Sequence, residues 1–167
     1  NIFYILSEIN YLYKKGEIDK KRIIIHNGYK SPEYIAKILE LQKLGFSNSI
    51  IILDSGEELD RILEQPGNTS VKVGIRMAID EEPQSSYYTS RLGLPYAEVM
   101  DFYREKIKDN PRIEFRMLHF FVDSGIKDSL YYWGEFQKAL KLYVDLKKEL
   151  FTLDSLNLVG GFPIRNH

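Results

Sequence analysis

The sequence predicts an α/β protein in which parallel β/α units form part of a TIM (β/α)8 barrel. Three observations carry this. Short apolar runs alternate with helix-spaced amphipathic segments along the chain. Strict alternation with buried strands means a parallel sheet with right-handed crossovers. Two of the apolar runs, Leu118 to Val122 and Leu156 to Val159, break into small-residue turns ending at Gly125 and Pro163. α/β folds place anionic ligands at such strand ends. Finally, five strands in 167 residues make a little over half of a barrel, which takes ~250 residues. An open doubly wound sheet fits the same order and is the alternative.

The elements follow in order. Ile2, Ile5, Leu6, Ile9, Leu12 and Tyr13 have helical spacing, closed by Lys14-Lys15-Gly16. Arg22 to His26 reads as a strand buried on both faces. Asn27-Gly28-Tyr29-Lys30 breaks it, and Ser31-Pro32-Glu33 opens a helix with Ser as N-cap and Pro at the first helical position. Tyr34, Ile35, Ile38 and Leu41 form its inner stripe, and Gly45 ends it. Ser49 to Leu53 is a strand, Ser55-Gly56-Glu57-Glu58 a capping box, and Leu59, Ile62 and Leu63 continue as a helix. Gln65 to Asn68 is a turn, and Val71 to Met77 a strand carrying Arg76.

Asp80 to Leu94 is polar and Tyr-rich without clear periodicity. A loop of that length in a compact domain is usually functional or mobile. Pro95 to Ile107 reads as a helix and Ile113 to Val122 as a strand. Leu130 to Leu150 is a long helix with Phe136, Ala139, Leu140, Tyr143 and Leu146 on one face. Ser155 to Val159 is the last strand. Residues 1–167 read as a single partial barrel domain. Because the chain begins at Asn1 and stops just past the Gly-Gly turn, it reads as a fragment of a longer one.

Composition narrows the function. The chain is 44% hydrophobic and 28% charged, enough for one ordinary core. A net charge of -1 gives no reason to expect nucleic acid or an anionic membrane as a partner. No apolar run approaches the ~20 residues of a membrane span, and no signal-peptide pattern is visible. There are no cysteines, hence no disulfide framework and no thiolate metal site, which fits a cytoplasmic protein. The three histidines have no metal-ligand spacing, so no metal is expected.

Gly160, Gly161 and Ser124 can form a phosphate cup of backbone N–H groups and one hydroxyl. Two unrelated tight turns are the plainer alternative. Lys30 follows a strand's C-terminal end, the active face in such folds, but reads first as a solvated turn lysine. Arg76 is a charge in an apolar strand, so it meets a carboxylate or an anionic ligand, a structural ion pair being the commoner case. His119, inside another apolar strand, reads as a hydrogen-bonded core histidine. Asp80-Glu81-Glu82 reads as a solvated acidic run.

Five stretches together carry a family resemblance. They are Ile24 to Lys30, Val73 to Arg76, Ser90 to Leu94, Leu118 to Gly125 and Leu158 to Pro163. The chain resembles the alanine-racemase-type, pyridoxal-phosphate-dependent decarboxylases, and among them most resembles biosynthetic arginine decarboxylase. The corresponding family elements are an Asn-Gly-Tyr-Lys strand end, a strand carrying an arginine, Ser-Lys-Phe-Gly-Leu, His-x-Gly-Ser and Gly-Gly-Gly-Phe-Pro. They occur here in the family's order. The resemblance implies a (β/α)8 barrel followed by a β-domain. It also implies pyridoxal 5′-phosphate as cofactor, a small amino-acid substrate and a homodimer or higher homo-oligomer.

By the same resemblance, Gly160 and Gly161 bind the cofactor phosphate with Ser124 adding its hydroxyl. Arg76 organises acidic groups beneath the cofactor ring. Phe121 falls where the family's ring-stacking histidine stands and supplies stacking without a hydrogen bond or charge. Val159 replaces the first glycine of the triple, Asn157 an acidic residue, and Asp123 the glycine of His-x-Gly-Ser. The run Leu118-His119-Phe120-Phe121 is similar to one in a bacterial subset of arginine-decarboxylase-like sequences. The Schiff-base lysine is expected before Asn1 and the C-terminal substrate residues beyond His167, so the fragment alone is expected to be inactive. The resemblance thus implies decarboxylation of L-arginine to agmatine and CO2, a step of polyamine biosynthesis. Relatives acting on ornithine, diaminopimelate or carboxynorspermidine, and a non-catalytic cofactor-binding homologue, are the alternatives.

Overall fold

The computed structural model of the protein describes residues 2–67, 69–79, 92–122 and 129–160. Every strand pairing in it is parallel. The strands are β1 (Ile24–His26), β2 (Ser49–Leu53), β3 (Val71–Ala78), β4 (Leu94–Pro95), β5 (Ile113–Val122) and β6 (Ser155–Gly160). They form one sheet in the order β1-β2-β3-β5-β6, with β4 paired to the end of β3. The helices are α1 (Ile2–Lys14), α2 (Pro32–Lys43), α3 (Gly56–Glu64), α4 (Tyr96–Phe102) and α5 (Ser129–Glu149).

Which face of the sheet the helices cover decides between the two architectures. One apolar core joins Ile35 and Ile38 of α2, Leu59 and Ile62 of α3, Val99 of α4, and Ala139, Leu142 and Leu146 of α5. The strand residues in that core include Ile51, Leu53, Val73, Ile75, Met77, Leu118, Phe120 and Val122, which alternate along β2, β3 and the second half of β5. Helices α2 to α5 therefore lie on one face. A doubly wound sheet has them on both; a barrel has them only outside. The sheet is a parallel half-barrel. Its inner face holds a small separate cluster of Ile50, Ile52 and Met117. Gly74 lies at the same level, and a Cβ there would stand 2.5 Å from Ile52 Cδ1 and 2.9 Å from the Met117 carbonyl oxygen.

Local signals mostly act as expected. The Ser31 hydroxyl accepts from the Tyr34 N–H at 3.3 Å, and Pro32 occupies the first turn of α2. Gly45 takes a φ of +100° beyond its end. Ile9 of α1 packs with Leu41 and Phe46 in a satellite core.

Four readings are corrected. β1 is not buried on both faces: Ile25 is 38% exposed, because β1 ends the described sheet and has a neighbour on one side only. Leu94–Pro95, read as loop and helix start, pairs with Met77 and Ala78 instead. The following helix is α only through Phe102, and Tyr103–Ile107 widens to a π-helical turn. On α5 the inner stripe includes Leu142, while Leu140 is 38% exposed. Tyr132, Phe136, Ala139, Leu142 and Leu146 have the 3–4-residue spacing that points one way.

Because Gly74 leaves no room for a side chain, Gly74→Ala is expected to lower unfolding free energy by about 1–3 kcal/mol. A urea midpoint equal to wild type would show that the inner face has slack there.

Candidate functional site

Going up the inner face toward the C-terminal strand ends, side chains change from apolar to charged. Cross-strand register sets this: Arg76 of β3 pairs with His119 of β5, and His119 with Asn157 of β6. Residues paired across a sheet share a face. Asp54, the residue after β2, comes level with Arg76, and Phe121 lies one inward step above His119. The loop after β1 brings in Lys30.

Lys30 is 0% exposed, the reverse of the solvated turn lysine expected. Its Nζ lies 3.2 Å from Glu58 Oε2 and 3.5 Å from Asp54 Oδ2, and it donates to the Gly28 carbonyl. Glu58 is itself fixed by the backbone. Its Oε1 accepts the Lys30 N–H at 3.2 Å and its Oε2 the Asp54 N–H at 2.9 Å. The capping box is thus corrected too. Ser55 makes no side-chain cap, and Glu58, free of that duty, closes on the buried lysine.

Arg76 Nη1 stands 3.7 Å from Asp54 Oδ1, the ion pair anticipated for a charge in an apolar strand. Burial lowers the Arg76 pKa from its ordinary value while the Asp54 charge opposes that shift. Its guanidinium carbon sits 4.5 Å from the centroid of the Phe121 ring, a cation–π contact. Two cations and two carboxylates are thus buried together, which satisfies the rule that buried charges be paired.

His119 is buried, and its Nδ1 is 3.0 Å from Asn157 Nδ2. The amide and the ring nitrogen share a hydrogen bond whose direction follows the ring tautomer. Burial first, then the charges of Arg76 and Lys30, push the His119 pKa down to about 4. His26, paired with the Tyr34 hydroxyl at 3.2 Å, falls to about 4 for the same first cause, with Lys30 second. His119 is therefore the neutral core histidine expected.

Two glycines shape the rim. Gly93, at a φ of +109°, donates its N–H to the Asp54 carbonyl at 2.8 Å. A Cβ there would stand 2.9 Å from the Arg76 carbonyl oxygen. Gly160 ends β6 at a φ of +112°, where a Cβ would fall 1.7 Å from the Val122 carbonyl oxygen. Of the residues singled out from sequence, Arg76, Phe121 and Gly160 lie at the strand ends. Ser124, Gly161, Asp123 and residues 80–91 of the long loop lie outside the described residues. Asp54 was not singled out, and Glu58 was read only as a cap. The available signal was position: Asp54 directly follows a fully buried strand, and Glu58 is one helical turn beyond it.

A half-barrel with a charged, aromatic inner rim defines a ligand-binding β/α domain, and similarity to known proteins specifies which. Residues 7–167 match the family described as "Pyridoxal-dependent decarboxylase, pyridoxal binding domain", and the chain belongs to that family. The biosynthetic arginine decarboxylase of Prochlorococcus marinus (strain MIT 9215) is 31% identical over 153 residues, which are 87% of this chain and 24% of that protein. The chain thus spans about a quarter of the length of the curated relatives it matches. The crystal structure of the biosynthetic arginine decarboxylase from Campylobacter jejuni superposes with a TM-score of 0.67 at 23% identity, covering 86% of this chain and 24% of that one. Lysine decarboxylase from Selenomonas ruminantium gives 0.65 at 18% identity, covering 95% and 39%. Those two likenesses establish the fold.

The family's cofactor is pyridoxal 5′-phosphate, a flat aromatic ring bearing an anionic phosphate. The residues present suit it. Gly160 leaves a strand end that no side chain can occupy, and an aromatic ring backed by a guanidinium stands on the inner face. Among the described residues no helix is long and apolar enough to cross a membrane, and no three His, Asp or Glu side chains group as a metal site.

Two outcomes follow. Both buried histidines are neutral when folded but titrate near 6.5 when unfolded. Their contribution to stability is complete above pH 6.5 and is lost as the pH falls toward 4. Unfolding free energy is expected to drop by about 2 kcal/mol per histidine between pH 7 and pH 5, and urea melts at the two pH values check it. Gly160→Ala is expected to cost at least about 2 kcal/mol through overlap and a left-handed φ. Unchanged stability would mean that β6 does not hug β5.

Proposed function

We propose that this domain belongs to a pyridoxal-phosphate-dependent arginine decarboxylase, which converts L-arginine to agmatine and CO2. The observation that carries the reading is its likeness to biosynthetic arginine decarboxylases along 87% of the chain, added to membership of the family. The same reading includes a cytoplasmic homodimer or higher homo-oligomer, and a chain extending on both sides of residues 1–167.

In this reading the N–H groups of Gly160 and Gly161 and the hydroxyl of Ser124 hold the cofactor phosphate. Phe121 covers the ring, and Arg76 sets the field beside it. When bound, the cofactor supplies an electron sink for the electrons released as CO2 leaves. The chain's own part is binding, orientation and exclusion of water. Neutral His119 presents no competing charge beneath the ring, and Asn157 shares a hydrogen bond with it. Lys30 is not the cofactor-anchoring lysine, since its amine is already committed to Asp54, Glu58 and the Gly28 carbonyl. That lysine is expected on an earlier strand.

A second reading rests on three departures that the resemblance implies. Phe121, Val159 and Asn157 stand where the family has histidine, glycine and an acid, which fits a non-catalytic, cofactor-binding homologue. Product formation by the full-length protein separates the two. With pyridoxal phosphate and arginine, ornithine and diaminopimelate offered singly, agmatine from arginine alone is expected. Cofactor binding with no product from any of them would favour the homologue.

A further inference from the structure

A single line of contacts crosses four strand ends. Glu58 is held by two backbone N–H groups and thereby fixes the Lys30 ammonium at 3.2 Å. Lys30 addresses Asp54 Oδ2, while Arg76 addresses the other oxygen, Oδ1. Among the described residues neither Asp54 oxygen makes a hydrogen bond, though both are buried. The carboxylate is therefore placed by two cations pulling from opposite sides, at 3.5 and 3.7 Å. Remove the first and Asp54 collapses onto the second, because a buried carboxylate takes whatever hydrogen-bond donor it can reach. Arg76 would then shift against the Phe121 ring, whose centroid lies 4.5 Å from its guanidinium carbon.

We propose that Lys30 and Asp54 form a positioning pair that sets the Arg76 guanidinium against Phe121, and so shapes the surface offered to the cofactor ring. The inference rests on the reading above that Arg76 and Phe121 lie beside the cofactor. Lys30 never touches the ligand; it acts through Asp54. The chain of contacts is short, contiguous and charged, the kind of network through which a buried group alters a remote one.

The test uses the full-length protein stripped of cofactor. Lys30→Met alone strands two buried carboxylates and can fail to fold, so it is combined with Glu58→Gln, which removes one charge of each sign. Apo melting temperature, the dissociation constant for pyridoxal phosphate and the position of the bound cofactor's visible absorption band are measured. The double variant is expected to melt within a few degrees of wild type, yet bind the cofactor at least tenfold more weakly with a shifted band. Asp54→Asn, which keeps the volume and leaves Lys30 paired with Glu58, is expected to do the same, and it decides the matter if the double variant does not fold. Binding within twofold of wild type and an unchanged band in either folded variant overturn the proposal, leaving Lys30 a purely structural lysine. Failure of the wild-type protein itself to bind pyridoxal phosphate overturns the reading of the site, and this inference with it.

Discussion

A lysine without solvent exposure must be neutralised where it stands, and the end of this sheet is arranged around that requirement. Lys30 draws Glu58 away from its ordinary capping duty and holds Asp54 between itself and Arg76. Asp54 in turn ties down the rim, since its carbonyl receives the Gly93 N–H. Gly93 presses so closely on the backbone of β3 that no side chain fits. One buried charge thus fixes the turn after β1, the start of α3, the end of β3 and the entry to β4. The balance of two cations and two carboxylates makes this tolerable; removing any one unbalances a desolvated group of charges.

The two faces of the sheet divide the labour. The outer face, packed against α2 to α5, carries nearly all the apolar burial and hence most of the stability. The inner face buries a small apolar cluster of Ile50, Ile52 and Met117 and gains charged side chains toward the C-terminal ends. Stability and chemistry thus use alternate residues of the same strands. Leu118 and Phe120 build the core while His119 and Phe121 face the site. Period-two alternation lets one ten-residue strand serve both without compromise.

Phe121 helps to keep the charges of the inner rim in balance. A histidine there would put a second titratable ring against Arg76. Phenylalanine accepts the guanidinium over its face instead and adds no charge to a site whose cations and carboxylates already balance. Neutral His119, one inward step below and hydrogen-bonded to Asn157, keeps to the same balance.

Much of the fold was legible in the sequence. The bounds of β2, β3 and β5, the Ser31 cap, the Gly45 stop and the parallel order are local or nearly local. Apolar runs, caps and left-handed glycines act within a few residues of themselves, and alternation of strand and helix leaves few topologies. The corners at Gly160 and Gly93, which lack a Cβ, stood out as glycines, but their partners Val122 and Arg76 lie far off in sequence. The burial of Lys30, the hub role of Asp54 and the second use of Glu58 were invisible, for a lysine after Asn-Gly-Tyr looks the same solvated or buried. Only when parallel pairing brings the ends of β1, β2 and β3 together do residues 30, 54, 58 and 76 meet. Sequence by itself determined the elements and which face of each is apolar. The tertiary structure decided which charges share one dry space, because Coulomb pairing depends on distance through space and the chain keeps no local record of it.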